Sequence, residues 1–193
     1  MIKDKQQLVK VAAEANGLLL QIADYTSKNP HHSWHGRVRF PRGFIGTAHD
    51  KRQKLKFIED ETLRRNTSYA LMTHDVLRWV AFHTDLGGQA REMIIKEAVC
   101  LLGSICESIT IYPKEHGLGR GAGHKKRVAR LVEMEVIDKK LHKHLDWLWD
   151  KRNQEHIYDL DFREFDHWEN RDWYRSVKTY KGLRDGLTVW RGQ

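Results

Sequence analysis

Proline occurs three times in 193 residues and cysteine twice. So little proline leaves long stretches free to be helical, because each proline removes a helix hydrogen bond and clashes with the turn before it. Cys100 and Cys106 lie in one apolar helical stretch at a spacing that does not bring them together. They argue against a disulfide-stapled fold and read as buried thiols of a reducing, cytoplasmic compartment. No run approaches the ~20 apolar residues of a membrane span, and the opening M-I-K-D-K-Q-Q holds no signal-peptide core. Alternating strand patterns are almost absent. The glycine-rich G-L-G-R-G-A-G-H-K-K-R, residues 117–127, lacks the preceding strand and the following G-K-S or G-K-T of a phosphate loop. His31, His32 and His35 have no cysteine or carboxylate at zinc-ligand spacing. No metal and no cofactor is therefore expected.

Basic and apolar residues remain. The chain is 40% hydrophobic, enough for a core, and its net charge of +8 favours an anionic partner, with RNA, DNA and nucleotides ahead of acidic protein. Apolar spacing predicts a first helix over 3–26, with Leu8, Ala12, Ala15, Leu19 and Ile22 on one face. Residues 30–49 break any helix and alternate arginines, Arg37 and Arg39 among them, with Trp34, Phe40 and Phe44, a mixture that suits RNA or merely anchors a loop. A long helical segment follows over 51–84, with Leu63, Ala70 and Leu77 inward. The most apolar helix spans 89–111, where Glu97 and Glu107 read as surface residues or as orienters of a basic group. A short helix over 124–135 adds Lys125, Lys126, Arg127 and Arg130 as a second candidate RNA-binding set. A last helix starts near Asn170, read as its N-cap, with Trp173, Val177, Tyr180, Leu183 and Leu187 inward. The expected fold is all-α, a bundle of five or six helices. Residues 1–56 form an added helix and extension, and 57–193 the bundle.

The organising stretch is D-K-K-L-H-K-H-L-D-W-L-W-D-K-R-N-Q-E-H-I-Y, residues 138–158. Asp138 is its N-cap, and Leu141, Leu145 and Leu148 recur at spacings of four and three. The same count reaches Arg152 and then His156, so a leucine stripe ends in an arginine and a histidine one turn apart.

The run from about Val128 to Leu187 resembles the C-terminal part of a HEPN domain. A short helix ends in E-V-I-D, the next carries L-W-D-K-R-N-Q-E-H-I-Y, and an acidic, aromatic crossing leads to a final amphipathic helix. The family's signature is an arginine, usually followed by asparagine, then a histidine; Arg152, Asn153 and His156 match it. R-N-Q-E-H leaves three residues between arginine and histidine, where the family usually has four to six. The toxin branch also carries a tyrosine two residues beyond, and Tyr158 stands there. The resemblance implies a metal-independent endoribonuclease in toxin–antitoxin or phage defence, with catalytic Arg152, His156 and Asn153. It also implies a homodimer that pairs two motifs, and a cognate antitoxin or a nucleotidyltransferase that modifies Tyr158. The alternative is a non-catalytic helical adaptor, an antitoxin, immunity or defence-complex subunit that binds RNA, nucleotide or protein.

Overall fold

The computed structural model describes residues 1–41, 43–111, 113, 116, 118–155 and 167–192. The chain divides into two compact units, Met1–Arg42 and Gly43–Gln193. The first unit holds α1 (Lys5–Lys28) and a 3-10 turn (Pro30–His32); the second holds α2 (Ala48–Gln53), α3 (Glu61–His83), α4 (Gly88–Ile111), α5 (His124–Glu133), α6 (Lys139–Asn153) and α7 (Asn170–Arg191). The fold is all-α, with seven helices rather than five or six and no strand among the described residues. No helix among them is long and apolar enough to cross a membrane.

In the first unit, Asp4 caps α1 by accepting from the Gln7 amide at 2.8 Å. Asn29 ends it through amide bonds to the Tyr25 and Thr26 carbonyls, just before Pro30. The turn is fastened to the helix by a 2.9 Å bond between Tyr25 Oη and His32 Nδ1. Gly36 passes so close that a methyl group there would sit 2.8 Å from Thr26 Cγ2.

In the second unit α4 is the axis. It packs against α3, α5, α6 and α7. Ile95, Ala98, Val99, Leu102, Ile105, Cys106 and Ile109 are among its buried residues. Both cysteines are free and buried, and burial raises the Cys106 thiol far above its ordinary value.

Four expectations are corrected here. The 51–84 segment is two helices, because Leu55, Phe57 and Ile58 turn into the core between them. Asp60 then starts a new helix by accepting from the Leu63 amide at 2.9 Å. This burial, and the packing of α2 on α3, bring residues 43–56 into the bundle, so the first unit stops at Arg42 rather than at 56. The inward face of α3 is also rotated. Leu63, Ala70 and Leu77 are only partly buried, while Thr67, Ser68, Leu71, His74 and Asp75 are buried. Two of these polar groups are bonded: Ser68 donates to the Arg65 carbonyl at 2.6 Å. Asp75 accepts from the Gly46 amide at 2.9 Å and pairs with Lys51 at 2.6 Å. Finally, Glu169, not Asn170, caps α7, in a reciprocal capping box with Asp172. Asn170 instead accepts from Arg91 Nη2 at 2.7 Å, tying the start of α7 to α4.

Candidate functional site

The site is built on α6. Asp138 caps it as expected, accepting from the Leu141 amide at 2.6 Å. Leu145 and Leu148 are buried, and α6 packs against both α4 and α7. The helix ends at Asn153, with Gln154 as its C-cap, rather than continuing to 158. From Asp150 to Glu155 the sequence is wholly polar, so none of these described residues offers an apolar side chain to hold a further turn. His156 and Tyr158 lie outside the described residues.

Arg152 projects from the last turn toward α4. Its Nη2 lies 3.6 Å from Glu107 Oε2, and both side chains are 29% exposed. Its Nη1 is 3.4 Å from Asn153 Oδ1. The Nε is buried and has no partner among the described residues. The two helices meet closely because position 103 has no side chain: a methyl group on Gly103 would lie 2.7 Å from Arg152 Cβ and 3.2 Å from the Leu148 carbonyl. On the neighbouring turn Cys100 donates its thiol to the Lys151 carbonyl at 3.6 Å. The orienting role weighed for Glu107 is thus occupied toward Arg152, whereas Glu97 is exposed.

Glu107 also faces a second arginine. Arg127 on α5 is 3% exposed. Its Nε donates to Thr110 Oγ1 at 3.3 Å, and its Nη1 donates to the Ala122 carbonyl. Burial lowers its proton affinity and the charge of Glu107 opposes that shift. Arg127 was expected on a basic surface. Its place is inside, where it fastens the 118–123 loop to α4. Arg127 Nη2 has no partner among the described residues.

Beside it, His124 opens α5 and stacks on Trp149 of α6, with ring centroids 5.8 Å apart and planes 7° from parallel. Burial first, then the Arg127 charge, pushes its pKa down to about 4. The Leu145 backbone pulls the other way, but neither ring nitrogen reaches a partner with hydrogen-bond geometry among the described residues. At neutral pH this imidazole is uncharged. The centre therefore gathers Glu107, Arg127, Arg152, Asn153, Thr110 and a neutral His124 from three helices.

The remaining candidates on α5 are paired elsewhere or exposed. Lys125 is paired with Asp150 at 3.1 Å and Arg130 with Glu133 at 2.7 Å. Lys126 is exposed. Arg37 stacks on Trp34 at 3.3 Å in the first unit, where Arg39 is exposed. Among the described residues no three His, Cys, Asp or Glu side chains gather as metal ligands.

No family model, curated protein or solved structure matches this chain.

Sequence reading missed Gly103, His124 and the depth of Arg127. Gly103 carried a weak signal, a lone glycine inside an apolar helical pattern, which usually marks close packing. Arg127 follows Lys125 and Lys126 and looks like part of a basic face, but its helical register with His124, Val128 and Leu131 was a local signal of burial.

Proposed function

We propose that the chain is a metal-independent endoribonuclease of the HEPN type, acting in toxin–antitoxin or phage defence. Arg152 is the phosphate-holding residue, Asn153 orients the phosphate or the imidazole, and His156 transfers the proton. The observation that carries the reading is the end of the leucine stripe. Arg152 leaves a packed face and is held toward Glu107 with a guanidinium Nε still unpartnered among the described residues.

The reaction needs a base to take the proton of the ribose 2′-hydroxyl. The resulting oxygen attacks phosphorus, the bond to the 5′-oxygen breaks, and an acid protonates that leaving oxygen. Products are a 2′,3′-cyclic phosphate and a free 5′-hydroxyl. Histidine titrates in the right range for either proton step. A guanidinium fork matches the phosphate oxygens and stays charged through the transition state. One histidine per site is one too few, so a homodimer that pairs two motifs supplies the acid. Tyr158 is then the residue open to modification by a nucleotidyltransferase partner.

The test is cleavage of single-stranded RNA by metal-free protein with chelator present. Wild type should cut; Arg152→Ala and His156→Ala should each lose about 10²–10⁴ in rate while remaining folded. Arg152→Lys should also fail, because an ammonium lacks the paired donors. Activity restored only by added metal, or unaffected by His156→Ala, would sink the mechanism.

One observation favours the second reading, a non-catalytic adaptor. Arg152 already has Glu107 and Asn153 as partners, the state of a structural ion pair. A monomer at micromolar concentration with no cleavage of total RNA would decide for it.

A further inference from the structure

On the side of α6 turned to α7 lie two clefts, of about 540 and 520 Å³, and Arg175 lines both. The first has an apolar floor of Val136, Ile137 and Leu141 below Lys140 and Lys178. Gly182 lets α7 approach Leu141 closely: a methyl group there would lie 3.1 Å from Leu141 Cδ2. The second is bordered by Trp147, Lys151 and Arg171.

The acids in these linings are already engaged. Asp138 caps α6 and Asp172 accepts from the Glu169 amide at 3.0 Å, while Asp185 pairs with Arg184. Arg175 of α7 is held in place by α6. Its Nε donates to His144 Nδ1 at 2.9 Å, and its guanidinium lies 4.0 Å from the Trp147 ring centroid. That bond requires a neutral His144 with its proton on Nε2. Burial, then the charges of Arg175, Lys140 and Lys178, lower the pKa of His144 in agreement with it.

The cations are arranged in rows. Lys140 and Lys151 stand on one row of α6 with the neutral His144 and Trp147 between them, at spacings of four, three and four, and Arg171, Arg175 and Lys178 recur at four and three along α7. From Lys140 to Lys151 the helix rises about 16 Å. A row of this length suits a linear polyanion better than a point anion. An arginine stacked on an indole beside an apolar floor adds flat surface of the kind on which bases stack.

We propose that the α6–α7 groove is a binding track for single-stranded RNA, its phosphates on the two cationic rows and its bases toward Trp147 and the apolar floor. This rests on the RNA reading above but not on cleavage. A 2′-O-methyl strand has no nucleophilic 2′-hydroxyl, so binding of such a strand without any cutting of ordinary RNA would leave the track standing and remove only the catalytic reading.

The experiment is fluorescence anisotropy of a labelled 2′-O-methyl oligonucleotide of about a dozen residues, titrated with the full chain at about 50 mM salt and above. Lys140→Glu combined with Lys178→Glu should weaken binding about tenfold or more and reduce the salt slope by about two, one for each phosphate no longer neutralised. Lys125→Glu combined with Lys126→Glu, on α5, should change affinity by no more than about twofold. All four lysines are exposed, so folding is expected to survive, and melting curves check that. Equal losses from both pairs, a larger loss from the α5 pair, or no binding by wild type would overturn the proposal. So would displacement of the strand by poly-glutamate as effectively as by unlabelled RNA, which would assign the groove to acidic protein.

Discussion

Helices α1 and α4 both run for 24 residues and both carry apolar side chains at helical spacing, yet their surroundings are opposite. α4 touches four other helices and buries eleven residues. α1 buries none; on its apolar face Leu8 is 53% exposed and Leu19 43%. Periodicity identifies the face of a helix that another element can cover. Whether such an element exists is a property of the rest of the chain, and burial rather than propensity supplies most of a helix's stability.

The sharpest way to break the contrast is to remove equal amounts of leucine from each side of it. Leu148→Ala, at a site 1% exposed where α6 meets the core, should cost about 2–5 kcal/mol, read from the urea midpoint. Acid should attack the same bundle. Burial, aided by the charges of Arg78 and Lys51 and opposed by Asp75, brings the His74 pKa to about 4, as burial does for His124. The folded state holds both rings neutral while the unfolded chain binds protons from about pH 6.5 downward. Stability is therefore complete above pH 6.5 and falls as the pH drops toward 4, by on the order of 3 kcal/mol for each ring. Denaturant midpoints between pH 8 and 4 measure the loss; a flat profile would contradict the buried positions. Gly103→Ala should cost about 1–3 kcal/mol, because Arg152 and the Leu148 carbonyl leave no room for the methyl group. The least effect is expected from Leu19→Ala on α1, within about 0.5 kcal/mol. A loss as large as that of Leu148→Ala would mean that α1 is covered after all and would erase the contrast.

The same distinction explains what could be read from the sequence. The all-α class, the Asp138 cap and the leucines of α6 all follow from local spacing and cap chemistry. The end of α6 did not, because D-K-R-N-Q-E, residues 150–155, contains no proline or glycine to mark Asn153 as the last helical residue. The break between α2 and α3 went unseen because it contains neither proline nor glycine; Leu55 and Ile58 bend the chain by burying themselves, and Asp60 was a legible cap only once the break was suspected. Charge was hardest to place. Lys125, Arg127 and Arg130 look alike in sequence, yet one pairs with Asp150, one is buried and one pairs with Glu133. The basic rows of α6 and α7 are separated by the 156–166 crossing in sequence, and only their packing brings them side by side.

Gly103 also bears on entropy. An arginine on an open surface samples many rotamers, and fixing it on a ligand costs on the order of 1–2 kcal/mol. Here the first atoms of the Arg152 side chain rest on bare α4 backbone, and Glu107 holds its tip. Much of that ordering is completed during folding, before any anion arrives. A bulkier residue at 103 would turn a fixed post into a loose arm, so, on the proposed role of Arg152, affinity for a phosphate would decline even in a variant whose charge and helix content were unchanged.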